Sequence, residues 1–395
     1  MNIGPGITHC LAMAAIGAVF ASGTAPAAER TRARDLGIPF AGRTGPLNAI
    51  TDVAGVEVGY TTLVEGEGAL QVGKGPVRTG VTAILPRGRK GVSGVFGAYA
   101  VGNGNGEMTG TIWIEESGIV GTPICITNTH SVGVVRDAVI DWMIRNGGTE
   151  QLWGLPAVAE TWDGYLNDLN GFHVKPQHVF AALDGARGGP IAEGNVGGGT
   201  GMHTFEFKGG TGTSSRLVRV KDVGDYTVGV LVQSNFGRRW QLQVAGIPVG
   251  REWPEDAPFT QAYGPTNELG SIIVVIATDA PLLPTQLKRV ATRAAMGISR
   301  TGGSAGNGSG DIFLAFSTAN STAARAERGL QQVSFVPNDQ LDGLFEATVL
   351  AVEESIVNAM VAARTMTGID GNTLVAIDHE RLRTILARYN RLEPR

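Results

Sequence analysis

Asn267-Glu268-Leu269-Gly270-Ser271-Ile272-Ile273-Val274-Val275-Ile276-Ala277-Thr278-Asp279-Ala280 sets a Gly–Ser pair at the mouth of an almost wholly apolar run. A short run of this kind, rich in β-branched residues, predicts a strand covered on both faces. A serine that opens such a strand, directly after glycine, is also placed for self-cleavage. Its hydroxyl can attack the Gly270 carbonyl, pass through an ester that water opens, and leave Ser271 as a new amino terminus. Glycine has no side chain to resist the strained backbone this requires. The freed α-amine, with an ordinary pKa of about 8, then serves as base for its own hydroxyl. The bland alternative is a turn before a strand.

Working outward, AITDVAGVEVGY (49–60), GVTAILP (80–86) and GVFGAYAVGN (94–103) read as strands bounded by Gly, Pro or charge. SVGVVRDAVIDWMIR (131–145) predicts a helix with Val134, Val135, Val139, Trp142 and Met143 on one face. A second β-rich block covers VFAAL (179–183), MHTFEFKGG (202–210) and YTVGVLVQSN (226–235), and DIFLAFST (311–318) adds a strand. Helices are expected over 285–296, opened by Pro284, and over 339–367, with Leu344, Val352, Ile356 and Met360 inward and Gly368 as the stop. Residues 30–47 read as a polar surface wrap, and 236–270 as a long exposed connection. Strands and helices interleave without a regular βαβ beat, which favours an α/β sandwich over a doubly wound sheet.

Of 395 residues, 43% are hydrophobic, 17% charged and 58 are Gly, so the chain folds and is rich in turns. A net charge of −4 gives no strong field for nucleic acid or anionic lipid. The 12-residue apolar run CLAMAAIGAVFA (10–21), then Ala25-Pro26-Ala27, reads as a leader over 1–27, although no Lys or Arg precedes it. Export to the periplasm or beyond is therefore expected, with no membrane association after processing. Only Cys125 then remains, which excludes an intrachain disulfide, and the chain has neither HExxH nor CxxC. No metal or cofactor is expected.

The Gly-rich loops GNGNG (102–106), GNVGGGTG (194–201) and GGSAGNGSG (302–310) lack the P-loop lysine and the strand-to-helix setting of a dinucleotide loop, so they read as turns around a site or between strands. Gly302-Gly303-Ser304-Ala305-Gly306 matches GxSxG, with Asp339 or Asp342 and His379 following in triad order. That elbow needs a strand before it and a helix after it, and here the predicted order is reversed.

NELGSIIVVIATDAPLLPTQLKR (267–289) with GNGSGDIFLAFSTAN (306–320) resembles the nucleophile segment of the self-processing L-aminopeptidase/D-amidase/D-esterase family, which includes beta-peptidyl aminopeptidases. NAITDVAGVEVGYTT (48–62), TGVTAILPRG (79–88), AETWDGYLND (159–168), ALDGARGGPIAEGNVGGGTGM (182–202), FKGGTGTSSR (207–216) and VGVLVQSNFG (228–237) extend the resemblance in order over the mature chain. It implies a four-layer αββα sandwich of N-terminal-nucleophile type. It also implies cleavage of one catalytic domain into an α chain (28–270) and a β chain (271–395) that stay associated, commonly as a homo-oligomer such as a tetramer.

Carried over by motif, Ser271 is the expected nucleophile and Gly270–Ser271 the self-cleavage site. Ser309 and Asp311 are the expected partner network, although beta-peptidyl members resemble each other in having Glu at the latter position. Asn235 is expected to give a side-chain N–H to the oxyanion hole. Glu160 would hold the substrate ammonium, with Asp163 its nearest competitor, and Trp153 and Trp162 would wall the pocket. Lys208 has a minor supporting role or is a surface charge. The implied activity is a cofactor-free serine aminopeptidase acting on short peptides, amides or esters with a free amino terminus, of L-α, D-α or β type. The rivals are an ornithine-acetyltransferase-like acyl transferase, which favours Thr as nucleophile and no leader, and a non-catalytic periplasmic binding protein.

Overall fold

The computed structural model describes residues 1, 31–89, 91, 94–147, 152–264, 269–325 and 328–393. The expected leader, 1–27, lies outside the described residues apart from Met1. The chain first forms β1 (Glu57–Glu65), β2 (Val77–Leu85), β3 (Val95–Gly104), α1 (Thr111–Ser117), β4 (Ile119–Val120), β5 (Ile124–Asn128) and α2 (Val132–Arg145). There follow β6 (Ala157–Thr161), α3 (Pro176–Asp184), the short pair β7 (His203–Thr204) and β8 (Phe207–Lys208), β9 (Gly210–Val220) and β10 (Gly224–Asn235). After α4 (Val249–Glu252) and α5 (Pro258–Tyr263) come β11 (Leu269–Thr278), α6 (Pro284–Thr292), α7 (Ala294–Arg300), β12 (Gly308–Ser317), α8 (Asp342–Val361) and α9 (His379–Arg388).

The strands assemble into two principal sheets, ordered β1-β2-β5-β6 and β4-β3-β12-β11-β10-β9. Period-two alternation sorts their side chains into layers. Ile273, Val275 and Ala277 of β11, with Ile312, Leu314 and Phe316 of β12, face Ile84, Ile124, Ile126, Ala157 and Ala159 of the other sheet. The intervening residues Ile272, Val274, Ile276, Phe313 and Ala315 face outward into a core built with α6, α7 and α8. Cys125, Val158, Val81 and Ala83 face α2 and α3 on the opposite side. The result is helix–sheet–sheet–helix, the four-layer αββα sandwich expected. β11 lies inside its sheet, antiparallel to β10 and parallel to β12, which explains a sequence apolar on both faces.

Several expectations are corrected. VFAAL lies within α3, not in a strand. Pro176 opens that helix, and Val179, Ala182 and Leu183 share its buried face, a pattern a five-residue apolar run is too short to reveal. Residues 49–60 divide into a 3₁₀ turn at Ile50–Asp52 and the start of β1. Helix α8 stops at Val361, before Gly368. The 236–270 connection is not exposed where it is described: Arg238, Arg239, Leu242, Val249, Trp253 and Phe259 are all buried. Nor is 30–47 only a surface wrap, because Ala33, Leu36, Ile38 and Phe40 enter the helix-side core. Arg34 and Arg216 bind the buried Glu354 of α8 at 2.8 and 2.7 Å, and Asn48 adds a 2.6 Å hydrogen bond. Enough donors surround that carboxylate to offset its desolvation.

Candidate active site

The register of β11 sets the site. Ser271 pairs with Asn235 of β10 on one side and with Gly310 of β12 on the other. Gly270 pairs with Ser309. Ser271, Asn235, Ser309 and Asp311 are all buried. Ser309 Oγ donates to Asp311 Oδ1 at 2.5 Å, and Asn103 Nδ2 donates to the carbonyl of Ser309, which ties β3 to this end of β12. A bulge follows: Asp311 lies opposite Asn103 but Ile312 lies opposite Val101, so Gly102 is the extra residue. A Cβ on Gly102 would lie 3.3 Å from Asp311 Cβ and 3.1 Å from the Phe313 ring, and its absence leaves room for both.

Gly270 has a different reason for being glycine than the sequence suggested. It lies within β11 and does not adopt a positive φ. A Cβ there would stand 2.3 Å from the Asn235 carbonyl oxygen and 2.8 Å from Phe236 Cα. Close approach of β10, rather than backbone strain, demands the glycine.

A pocket of about 570 Å³ opens at this end of the two sheets, lined by Gly104, Asn105, Gly106, Glu107, Thr129, Glu160, Trp162, Gly270, Ser271 and Gly308. Ser271 comes from one sheet and Glu160, from β6, from the other. Two glycines bring the walls together. The position of a Cβ on Gly106 is 3.0 Å from Gly310 Cα and 3.2 Å from Glu160 Oε1, so the loop after β3 is wedged between the carboxylate and the strand beside Ser271.

Glu160 is only 3% exposed. Its Oε1 accepts from the Glu107 amide at 3.0 Å and its Oε2 from Thr129 Oγ1 at 2.5 Å. Burial pushes its carboxyl above the ordinary range, and the two hydrogen bonds only partly oppose that. Among the described residues no cationic side chain is bonded to it, so the pocket presents a desolvated carboxylate suited to an incoming ammonium. Its competitor Asp163 does not line the pocket. Burial pushes Asp163 up to about 7, and its Oδ1 accepts from Asn167 Nδ2 at 3.0 Å.

Asn235 is held on both ends of its amide: Nδ2 donates to the Trp162 carbonyl at 2.9 Å, and Oδ1 accepts from the His203 amide at 3.0 Å. An amide nitrogen carries two N–H groups, so one remains for an oxyanion. Trp162 lines the pocket as expected, but Trp153 does not. It is 60% exposed and borders a separate shallow crevice with Trp113, Met143 and Leu155. Ser309 lies opposite Gly270 and Asp311 opposite Ile272 in the strand register, and neither lines the pocket. Lys208 is wholly buried rather than a surface charge. Its Nζ donates to the Met202 and Gly209 carbonyls at 2.7 and 2.9 Å, and burial lowers its pKa to about 7.

Two rival motifs separate. Ser304 sits between α7 and β12, its Oγ accepting from Gln241 Nε2, while His379 Nε2 faces the Val361 carbonyl at the start of α9. Gly197 and Gly198, in the second Gly-rich loop, give their amides to Thr62 and Thr82 hydroxyls, which leaves no phosphate cradle. The first Gly-rich loop, read as a turn around a site or between strands, lines the pocket with Gly104, Asn105 and Gly106. Glu107 and Thr129 carried no sequence signal, since each acts through a neighbour that only the fold supplies.

The model of peptidase family S58 matches residues 48–374. The beta-peptidyl aminopeptidase BapA of Sphingosinicella microcystinivorans is 55% identical over 395 residues, spanning 97% of this chain and 99% of that protein. The solved structure of the l-aminopeptidase d-ala-esterase/amidase of Ochrobactrum anthropi, described as a prototype serine aminopeptidase and a variant of the Ntn hydrolase fold, superposes with a TM-score of 0.85. It is 49% identical and covers 91% of this chain and 99% of its own. A Burkholderia sp. beta-aminopeptidase gives a TM-score of 0.83 at 46% identity, covering 91% and 99%.

Proposed function

This chain belongs to peptidase family S58 and is a serine aminopeptidase; from that premise we propose that Ser271 is its nucleophile, that it frees Ser271 by cutting its own chain after Gly270, and that peptides with an amino-terminal β-residue are its preferred substrates. One observation carries the reading of the site: Ser271 and the buried Glu160 carboxylate face one pocket of about 570 Å³ from different sheets. The β preference is supported by the printed names of the relatives at 55% and 46% identity.

In maturation, Ser271 Oγ adds to the Gly270 carbonyl carbon. Its proton passes to the Ser271 nitrogen as the C–N bond breaks, leaving Gly270 as an ester on Oγ. Water hydrolyses that ester to a Gly270 carboxylate and regenerates the hydroxyl. In turnover, the free α-amine accepts the hydroxyl proton while Oγ attacks the substrate carbonyl, and the proton then goes to the departing amine. Water releases the acyl group by the same route. Asn235 Nδ2 steadies the oxyanion, and the Ser309–Asp311 pair orders the strand end beside the reacting residues. Glu160 binds the substrate ammonium, which makes the enzyme an exopeptidase: a blocked amine leaves the buried carboxylate unpaired.

Both halves of the cut chain contribute strands to one sheet, with β11 between β10 and β12, so the α and β chains stay together. Assembly into a homo-oligomer and export behind the 1–27 leader complete the proposal. The test is a panel of p-nitroanilides carrying L-α, D-α and β residues, with Ser271→Ala as control. The β substrates are expected to give the highest kcat/KM, and Ser271→Ala to remain one chain. A mutant that still splits at Gly270 points to an external protease and refutes self-cleavage.

A further inference from the structure

The β7–β8 hairpin takes no part in the chemistry above, yet it is held in a costly shape. At its tip Phe205 and Glu206 are consecutive non-glycine residues with φ of 51° and 64°, a region L side chains rarely adopt. Two sets of bonds impose that shape. The Phe205 amide donates to the Phe236 carbonyl at 2.7 Å, and the two rings meet edge to face at 4.9 Å. The wholly buried Glu206 carboxylate accepts from the amides of Arg239, Phe259 and Thr260 at 3.1, 2.9 and 2.8 Å, and from Thr260 Oγ1 at 2.5 Å.

Phe259 and Thr260 form the first turn of α5, which ends at Tyr263, seven residues before Gly270 (270 − 263). Glu206 therefore anchors the last described helix ahead of the proposed scissile bond. Phe259 adds a second grip, its ring 4.6 Å from His203 and 4.8 Å from Tyr165. At the other end of the hairpin, the His203 amide holds Asn235, the residue paired with Ser271. One hairpin thus holds both α5, which precedes Gly270 in sequence, and the side chain paired with Ser271.

We propose that Glu206 is a positioning residue for self-cleavage: it clamps α5 so that the Gly270 carbonyl is presented to Ser271 while the chain is still continuous. This rests on the self-cleavage reading above. The clamp matters only before the cut, because the mature enzyme no longer has to hold Gly270, and Asn235 keeps its own bonds to His203 and Trp162.

The experiment follows conversion of freshly synthesised full-length chain into two polypeptides for wild type, Glu206→Gln, Thr260→Val and Thr260→Ser, with kcat/KM measured on each purified processed fraction. Glu206→Gln and Thr260→Val are expected to slow conversion about tenfold, as loss of a charge-assisted bond implies. Thr260→Ser, which keeps the hydroxyl, restores the rate, and processed fractions stay within about twofold of wild-type kcat/KM. Should Glu206→Gln not fold, the Thr260 pair decides alone. Wild-type conversion in Thr260→Val overturns the proposal, as does an equal fall in conversion and kcat/KM. Splitting of Ser271→Ala, by contrast, overturns self-cleavage itself, whatever Glu206 does.

Discussion

Replacing Glu160 by Gln sets activity and stability against each other. The carboxylate is 3% exposed, and its bonded donors are the Glu107 amide and the Thr129 hydroxyl. Glutamine fits the same place: its carbonyl accepts from Glu107, and its amide donates to Thr129, whose hydroxyl turns to accept. What disappears is the charge proposed to meet the substrate ammonium. A hydrogen bond to a charged group contributes about 1.5–3 kcal/mol. At 1.4 kcal/mol per decade, kcat/KM for free-amine substrates falls about tenfold to about 150-fold. N-acetylated substrates are poor for both proteins. Stability moves the other way. Burial raises the folded carboxyl above its unfolded value, so the folded state binds the proton more tightly, and ionisation at higher pH works against folding. Wild type and variant therefore melt alike below about pH 4.5, the ordinary carboxyl value. The variant's advantage grows as pH rises and levels off above the raised folded value. The assay is a pair of substrate panels with melting curves from pH 4 to 8. Equal hydrolysis of acetylated and free substrates by wild type removes Glu160 from substrate recognition. A variant that melts lower than wild type at pH 7 refutes the electrostatic account of the pocket.

Gly270→Ala is expected to leave one chain even with Ser271 intact, because its Cβ would lie 2.3 Å from the Asn235 carbonyl oxygen; denaturing gels check this, and normal processing excludes close packing as the reason for the glycine. The pH profile of kcat/KM should rise through the raised Glu160 carboxyl and again through about 8 as the Ser271 α-amine loses its proton. Glu160→Gln should erase only the lower step, and its persistence assigns that step to another group. His379→Ala, in a folded variant, should keep its activity, since His379 faces the Val361 carbonyl and Ser304 is bonded to Gln241; a loss of several orders of magnitude would revive a Ser304 triad.

What the sequence reveals of the fold depends on how local each signal is. β11 is legible because burial on both faces writes itself as Ile272–Ala277, and α2 because its apolar residues recur at helical spacing. The errors share one cause. VFAAL is apolar in either conformation and too short for its period to show. Residues 236–264 carry Gly, Pro and charge, yet Arg238 and Arg239 are buried. Arg239 is solvated there by the Phe205 and Asp256 carbonyls and stacked on Phe207, so a buried guanidinium looks in sequence like a surface one.

The site divides along a similar line. The role proposed for Ser271 is legible because the proposed nucleophile, the proposed scissile residue and the buried strand are contiguous in sequence. Asn235 and Glu160 are not deducible that way: strand register sets one across from Ser271, and the facing of two sheets brings the other into its pocket. Resemblance named both, and the structure puts Asn235 opposite Ser271 and Glu160 in the same pocket as Ser271. It placed Trp153 less well, since an exposed tryptophan near Glu160 in sequence sits toward the opposite end of β6. The arrangement also accounts for how the fold would survive the proposed cut. The Gly270–Ser271 peptide lies near the start of β11, whose apolar length is packed between both layers and hydrogen-bonded to β10 on one side and β12 on the other. The proposed cleavage would therefore remove one covalent link where the fold supplies many noncovalent ones, and would convert a backbone amide nitrogen into the base the serine requires.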